Sequence, residues 1–302
     1  MASTVKSKLN RITPLTIVNY AVMMIIGIVT LFPFYITIIN SISPPEDFIF
    51  REIIIWPSRF DTSYYQLILT KGSDLFNAYK VTLFVTIVGT TLNLVFTTIT
   101  SFVLAQRKLP YRSQITLFIV FTMFFHGGMI PSFLLVQSLH LTNTLWAMIV
   151  PALIDTGYML FLRNFFMTIP IDLYESAHLD GCSEFRILIK IVLPLSLPAI
   201  AAFTLFYAVD HWNGFYAGTI YIFDYKKQPL QVYLRQVLYD ATVRADPETM
   251  SRLMGDGELR YQPPSEAMRA ATVIAATLPI IMTYPFLQKY FIKGMMMGSL
   301  KG

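Results

Sequence analysis

Long apolar runs alternate with short polar ones along almost the whole chain. A helix needs roughly 20 mostly apolar residues to cross about 30 Å of hydrocarbon. Runs at about Thr16 to Asn40, Val81 to Ala105, Ile115 to Leu139, Thr144 to Phe161, Ile191 to Ala208 and Ala270 to Phe291 reach or approach that length. None has the weak alternation, in segments of roughly ten residues, that marks an outer-membrane barrel. The pattern predicts an all-α integral membrane protein with about six transmembrane helices, in one domain over 1–302 with no independent linker-bounded unit.

The polar breaks orient the helices. Lys6, Lys8 and Arg11 precede the first run, which is too long for a signal-peptide core and lacks a small-residue cleavage pattern, so it is a retained span with residues 1–15 in the cytoplasm. Residues 41–80, with Pro44, Pro45, Pro57, Trp56, Tyr64 and Tyr65, then form an extracytoplasmic loop holding short interfacial helices. Arg107, Lys108 and Arg112 mark a turn inside, His140 to Asn143 an uncharged hairpin outside, and Arg163 a return inside. Residues 214–268 make a long outside loop, whose charges do not count because domain-sized loops translocate regardless of them, and 292–302 a cytoplasmic tail. His126, Gly127, Gly128 and Pro131 interrupt the third run, where a broken helix needs neighbours or cavity water for its freed backbone groups.

Composition narrows the class. Of 302 residues 55% are hydrophobic and 14% charged, against roughly 25% charged in soluble domains. The net charge of +5 is scattered and no basic block is interleaved with aromatics. It therefore reads as membrane orientation, with lipid as the partner and no nucleic acid. Cys182 is the only cysteine, without a Cys/His cluster around it, so no structural metal site is readable. No inverted pair of broken helices occupies matching halves of the chain, which weighs against a self-contained secondary transporter.

One polar island does not fit the role of a short loop. Between the fourth and fifth runs, 170–190 starts a helix with Pro170 and Asp172, carries it to Leu179, breaks at Gly181, and restarts at Ser183 towards Val192. Two readings are open. Phe185, Leu188 and Ile189 dip into the headgroups of an interfacial amphipathic helix, or Glu175 meets a basic partner while Gly181 lets its surface come close.

Glu175, Ser176, Ala177, then Gly181, then Ile191, Val192, Leu193 and Pro194 resemble the signature loop of ABC importer permeases, EAA, three residues, G, nine residues, I, any residue, LP. Ser176 stands where the family prefers alanine. Phe124 to Pro131, Leu162 to Phe166, the cluster at His211, Pro229 to Gln231 and the C-terminal YPFLQKYFIKGMMMGSLKG also look like the carbohydrate-importer branch. Within that branch the chain resembles the six-span maltose-type permease, especially the subgroup associated with complex and uronate-containing oligosaccharides.

The resemblance implies a coupling helix at Glu175, Ser176, Ala177, Asp180 and Gly181 that docks into an ATP-binding subunit dimer. It implies a heterodimer with a second homologous permease, an extracytoplasmic solute-binding protein, an oligosaccharide substrate, and a multi-pass place in the bacterial inner membrane with both termini cytoplasmic. No GxxxxGK[ST] loop is present, because Lys71, Lys293 and Lys301 precede rather than follow their glycines. The chain is therefore expected to be no enzyme and to hold no cofactor, ATP and Mg belonging to the partner ATPase.

Intramembrane polar residues supply candidates for the substrate path: His126, Asp155, Tyr158, Asp210, His211, Trp212 and Asn213, since buried ionisable groups face cavities, partners or one another. Asp155 is also open to a purely structural pairing with a neighbouring helix. Tyr216, Tyr221 and Asp224 are candidates for contact with the binding protein, the aromatics being equally readable as an interfacial belt. The alternative function is a secondary transporter or channel subunit for a polar solute, which would work without an ATPase. A membrane enzyme would need paired catalytic groups that Asp155 alone does not supply.

Overall fold

The computed structural model describes residues 14–51, 53–70, 73–125, 127–244 and 266–298. Every regular element among them is helical. The chain divides into two compact units, residues 1–67 with 241–275 and residues 68–240 with 276–302.

In the first unit, α1 (Pro14–Ser41) is apolar on all sides, as a helix solvated by hydrocarbon can be. Pro33 removes one donor inside it, and Thr37 returns a hydroxyl to the Pro33 carbonyl at 2.8 Å. The polar stretch after α1 is tied down rather than loose. Tyr35 donates to the Ile55 carbonyl at 2.7 Å, Tyr65 to the Ser41 hydroxyl at 2.7 Å, and the Ser58 N–H to the Asp47 carboxylate at 2.8 Å. That amide holds the Asp47 carboxyl below the usual carboxylate range. Two short helices, α2 (Asp47–Phe50) and α3 (Ser63–Leu69), lie in this stretch, in line with the sequence expectation.

The second unit is built around α4 (Asp74–Ala105). This helix starts seven residues before the predicted Val81, because Ser73 caps it by accepting from the Phe76 N–H at 3.2 Å, and Leu75 and Ala78 are already buried in its first turns. The next elements are α5 (Arg112–Phe124), α6 (Met129–Ser138), two 3₁₀ turns at Leu145–Met148 and Val150–Ala152, and α7 (Thr156–Phe166). After them come α8 (Ile171–Leu179), α9 (Glu184–Leu195, with a π turn at Leu188–Val192), α10 (Leu197–Asn213), α11 (Tyr216–Tyr221) and α12 (Leu230–Arg244). The last helix, α13 (Glu266–Gly298), covers the sixth apolar run.

Two helices, α1 and α4, are long and apolar enough to cross a membrane unbroken. Three further runs pass only as bent pairs: α5 with α6, the 3₁₀ turns with α7 at 48°, and α9 with α10 at 86°. Two to five spans are thus marked by length and composition among the described residues. The fifth run, read only as one apolar stretch, is bent. Pro194 and Pro198 lack N–H groups, so the chain leaves the helix at Ser196, whose N–H goes to Val192 and Leu193 at 3.0 and 3.1 Å, and starts again with Ile200 on the Ser196 carbonyl at 2.9 Å. The fourth run unwinds at Val150–Asp155 for a similar reason, with Pro151 inside it.

Candidate functional site

Helices α7 and α10 pack against α4 along a stripe of small and polar residues, Gly89, Asn93, Thr97 and Ser101, spaced four apart on one face. Each polar member is bonded across a helix boundary. The Asn93 amide nitrogen donates to the carbonyls of Ala152 and Leu153, two groups freed where the fourth run unwinds, and the Asn93 oxygen meets His211 Nε2 at 2.8 Å. Because the Asn93 nitrogen is committed to carbonyls, its oxygen accepts and His211 donates. The Thr97 hydroxyl pairs with the Tyr207 hydroxyl at 2.7 Å, and Ser101 donates to the Met159 carbonyl at 2.8 Å. At Gly89 an added Cβ would stand 2.5 Å from His211 Nε2, so only glycine lets the imidazole lie against α4.

Above this stripe opens a cavity of about 400 Å³. Asn93, Asp155, Asp210, His211, Asn213 and Tyr216 contribute to its wall. Tyr158 joins the two acids: its N–H donates to Asp155 at 2.8 Å and its hydroxyl to Asp210 at 3.0 Å. Its ring packs on Phe203, Phe206 and Tyr207 with centroids 5.1–5.6 Å apart. Asp155 is the N-cap of α7 as well as a wall residue.

The other candidates separate. Trp212 is buried, and its Nε1 meets no hydrogen-bond partner among the described residues. Tyr221 stacks on Phe133 at 6.2 Å within a cluster of Val136 and Ala147, and burial pushes its phenol above the ordinary value. Asp224 caps the turn Tyr225–Lys227 by accepting from the Lys226 N–H at 3.0 Å. His126 lies outside the described residues.

Asn143, not singled out by the sequence reading, takes a left-handed backbone at φ 57° and accepts the N–H groups of Phe223 and Asp224 at 3.2 and 3.0 Å. Its carbonyl accepts from Lys227 Nζ at 3.0 Å. The available signal was an asparagine at the end of an uncharged hairpin, a residue type that tolerates this conformation. For the α4 residues the missed signal was the four-residue spacing of Gly89, Asn93, Thr97 and Ser101 within an apolar run.

At the opposite end, α8 is two-faced. Tyr174 and Ala177 enter a buried cluster with Phe102 and Ala105 from the end of α4, Leu162 and Phe166 from α7, and Ile187, Leu188 and Val192 from α9. Burial pushes the Tyr174 phenol above its ordinary value, and Glu184 adds to the shift. Glu175, Ser176 and Asp180 stay on the outer side, beside Leu179 at 90% and Phe185 at 67% exposure. Gly181 closes the helix with φ 72°, the Cys182 N–H reaching Ala177 at 2.9 Å and its own N–H reaching His178 at 3.0 Å. Across this turn His178 and Glu184 approach to 3.4 Å.

The sequence matches the family model described as a binding-protein-dependent transport system inner membrane component over residues 78–297. It is 38% identical over 94% of its length, and 96% of the relative's, to the polygalacturonan/rhamnogalacturonan transport system permease protein YtcP of Bacillus subtilis. To protein LplC of the same organism it is 40% identical, over 92% of this chain and 91% of that one. The structure superposes, with a TM-score of 0.80, 29% identity and coverage of 91% and 95% of the two chains, on a bacterial ABC transporter involved in the import of the acidic polysaccharide alginate. Agreement over nearly the whole length, in sequence and in backbone, places this chain in the family of binding-protein-dependent transport system inner membrane components.

Proposed function

We propose that the chain is one of two homologous permease subunits in an ATP-driven, binding-protein-dependent importer of oligosaccharides. It crosses the bacterial inner membrane six times with both termini in the cytoplasm, α13 being the sixth span. The broken helices around the 400 Å³ cavity form half of the translocation path, with Asp155, Tyr158, Asp210, His211 and Asn213 along it. Tyr216 and the loop behind it face the solute-binding protein.

The observation that carries this reading is the two-faced α8. One side is anchored in the same buried cluster as the ends of α4, α7 and α9, while Glu175, Ser176 and Leu179 stand uncovered on the other. A partner that grips such a face moves the spans with it. An ATP-binding subunit dimer is the partner that fits, since the chain has no phosphate loop of its own; ATP and Mg are held there. Relatives named for polygalacturonan, rhamnogalacturonan and arabinooligosaccharide transport support a sugar polymer fragment as cargo.

The test is reconstitution of the complex with its ATP-binding subunits and binding protein, followed by ATP-dependent oligosaccharide uptake. Glu175→Lys is expected to cut uptake by at least tenfold while the chain stays in the membrane and the cavity stays intact. Unimpaired uptake by this variant would sink the docking role.

A further inference from the structure

The cavity wall carries a definite sign of charge. Its described lining residues include the carboxylates of Asp155 and Asp210 and no lysine or arginine. Among the described residues neither acid is paired with a lysine or arginine; both instead bond to Tyr158, one through the backbone N–H and one through the hydroxyl. The His211 Nε2–H donates to the Asn93 oxygen. Tyr216 supplies an aromatic ring on the same wall, while the Phe215 ring carries the Arg235 guanidinium at 5.2 Å from its centroid, a cation behind the wall.

This combination suits a particular cargo. Carboxylates are strong acceptors for hydroxyl donors, and aromatic rings stack on the C–H faces of sugar rings. A uronate brings one negative charge per sugar, and beside two solvent-exposed acids each like-charge pair roughly 8 Å apart lowers its occupancy by about two- to threefold. Resting on the importer reading above, we infer that this half of the path is selective for uncharged oligosaccharides, with Asp155 and Asp210 accepting sugar hydroxyls and excluding carboxylated sugars. The inference runs against the cargo named for two relatives, polygalacturonan/rhamnogalacturonan and the acidic polysaccharide alginate, which concern those proteins.

Two measurements on the assembled complex in proteoliposomes test it. In a Cys182→Ser background, Tyr216→Cys puts one thiol on the cavity wall. Its reaction rates with a cationic trimethylammonium and an anionic sulfonate methanethiosulfonate are compared, each normalised to a free small thiol. The cationic reagent is expected to be favoured by about tenfold. Adding Asp155→Asn, which keeps the helix cap and removes the charge, or Asp210→Asn should bring the ratio towards one. Equal rates or an anionic preference would overturn the inference.

The second measurement is ATP-driven uptake of trigalacturonate against its carboxyl-reduced, neutral counterpart. Asp210→Asn should shift the uptake ratio several-fold towards the acid, and Asp210→Glu should leave it as in the wild type. Because each variant is compared with the wild type using the same binding protein, the preference of that protein cancels. An unshifted ratio overturns the inference. Uptake that proceeds without ATP would overturn the importer reading instead, and the thiol rates would still decide the sign of the cavity.

Discussion

At Gly181 two demands coincide on one residue. An added Cβ would meet nothing within 4 Å, so the protein itself leaves room for a side chain, yet φ of 72° makes any residue but glycine or asparagine strained by about 1–2 kcal/mol. Gly181→Asn should therefore keep thermal stability near that of the wild type and Gly181→Val should lower it, in melting curves of the purified chain. If the empty space is needed by the docking partner, both variants lose ATP-dependent uptake alike. The signature glycine was legible in the sequence from its spacing. Its backbone reason was not, because a left-handed cap is set by the direction the chain takes towards α9.

At Asn143 the sequence signalled only tolerance of the turn, and not the bonds it makes, since its partners, Phe223 and Asp224, lie 80 and 81 residues away. Asn143→Ala removes the acceptor for both N–H groups and the tolerance of φ 57°, and should destabilise by about 1–3 kcal/mol. Hydrogen exchange should then quicken at Phe223 and Asp224 before it does in α4.

Among the helices, the apolar runs and the break of the third run beside Gly127 and Gly128 were readable from the chain, and the breaks of the fourth and fifth runs were not. Hydropathy sums over a window and is blind to a turn of non-helical backbone inside it. It therefore located the fifth run but not its 86° elbow, although Pro194 and Pro198 were in plain view. It likewise put Asp155 inside a span, where the chain in fact unwinds and the residue starts α7. Such unwinding inside a membrane needs a donor for each freed carbonyl, and Asn93 on the neighbouring helix provides it for Ala152 and Leu153. Pro198→Ala restores an N–H at the elbow and should let α9 and α10 straighten. Spin labels at Arg186 and Thr204 should then move apart in pulsed-resonance distances, while ATP hydrolysis persists and uptake falls by several-fold. An unchanged distance would mean that packing around Ser196, rather than the missing N–H, sets the bend.

For the molecule as a whole, the family and the membrane character were readable from the chain, whereas the orientation rests on charge placement that only labelling can check. Cys182 is the sole cysteine and is half-buried in the turn after α8, which makes it a built-in probe. A membrane-impermeant maleimide should label it in inside-out vesicles and not in right-side-out ones, and added ATP-binding subunits should slow the labelling. The opposite sidedness would invert the proposed topology.

The buried cluster under α8 has a mechanical consequence. It joins α8 to the C-terminal end of α7 through Leu162 and Phe166, and the Tyr158 that bonds Asp210 sits near the N-terminal end of the same helix. With 11 residues, α7 is a rod roughly 16 Å long. Tilting such a rod by about 10° sweeps its far tip through about 3 Å, the length of one hydrogen bond. If α8 is gripped as proposed, a rocking of the partner subunit too small to open a pore by itself is enough to make or break the clasp between Tyr158 and Asp210.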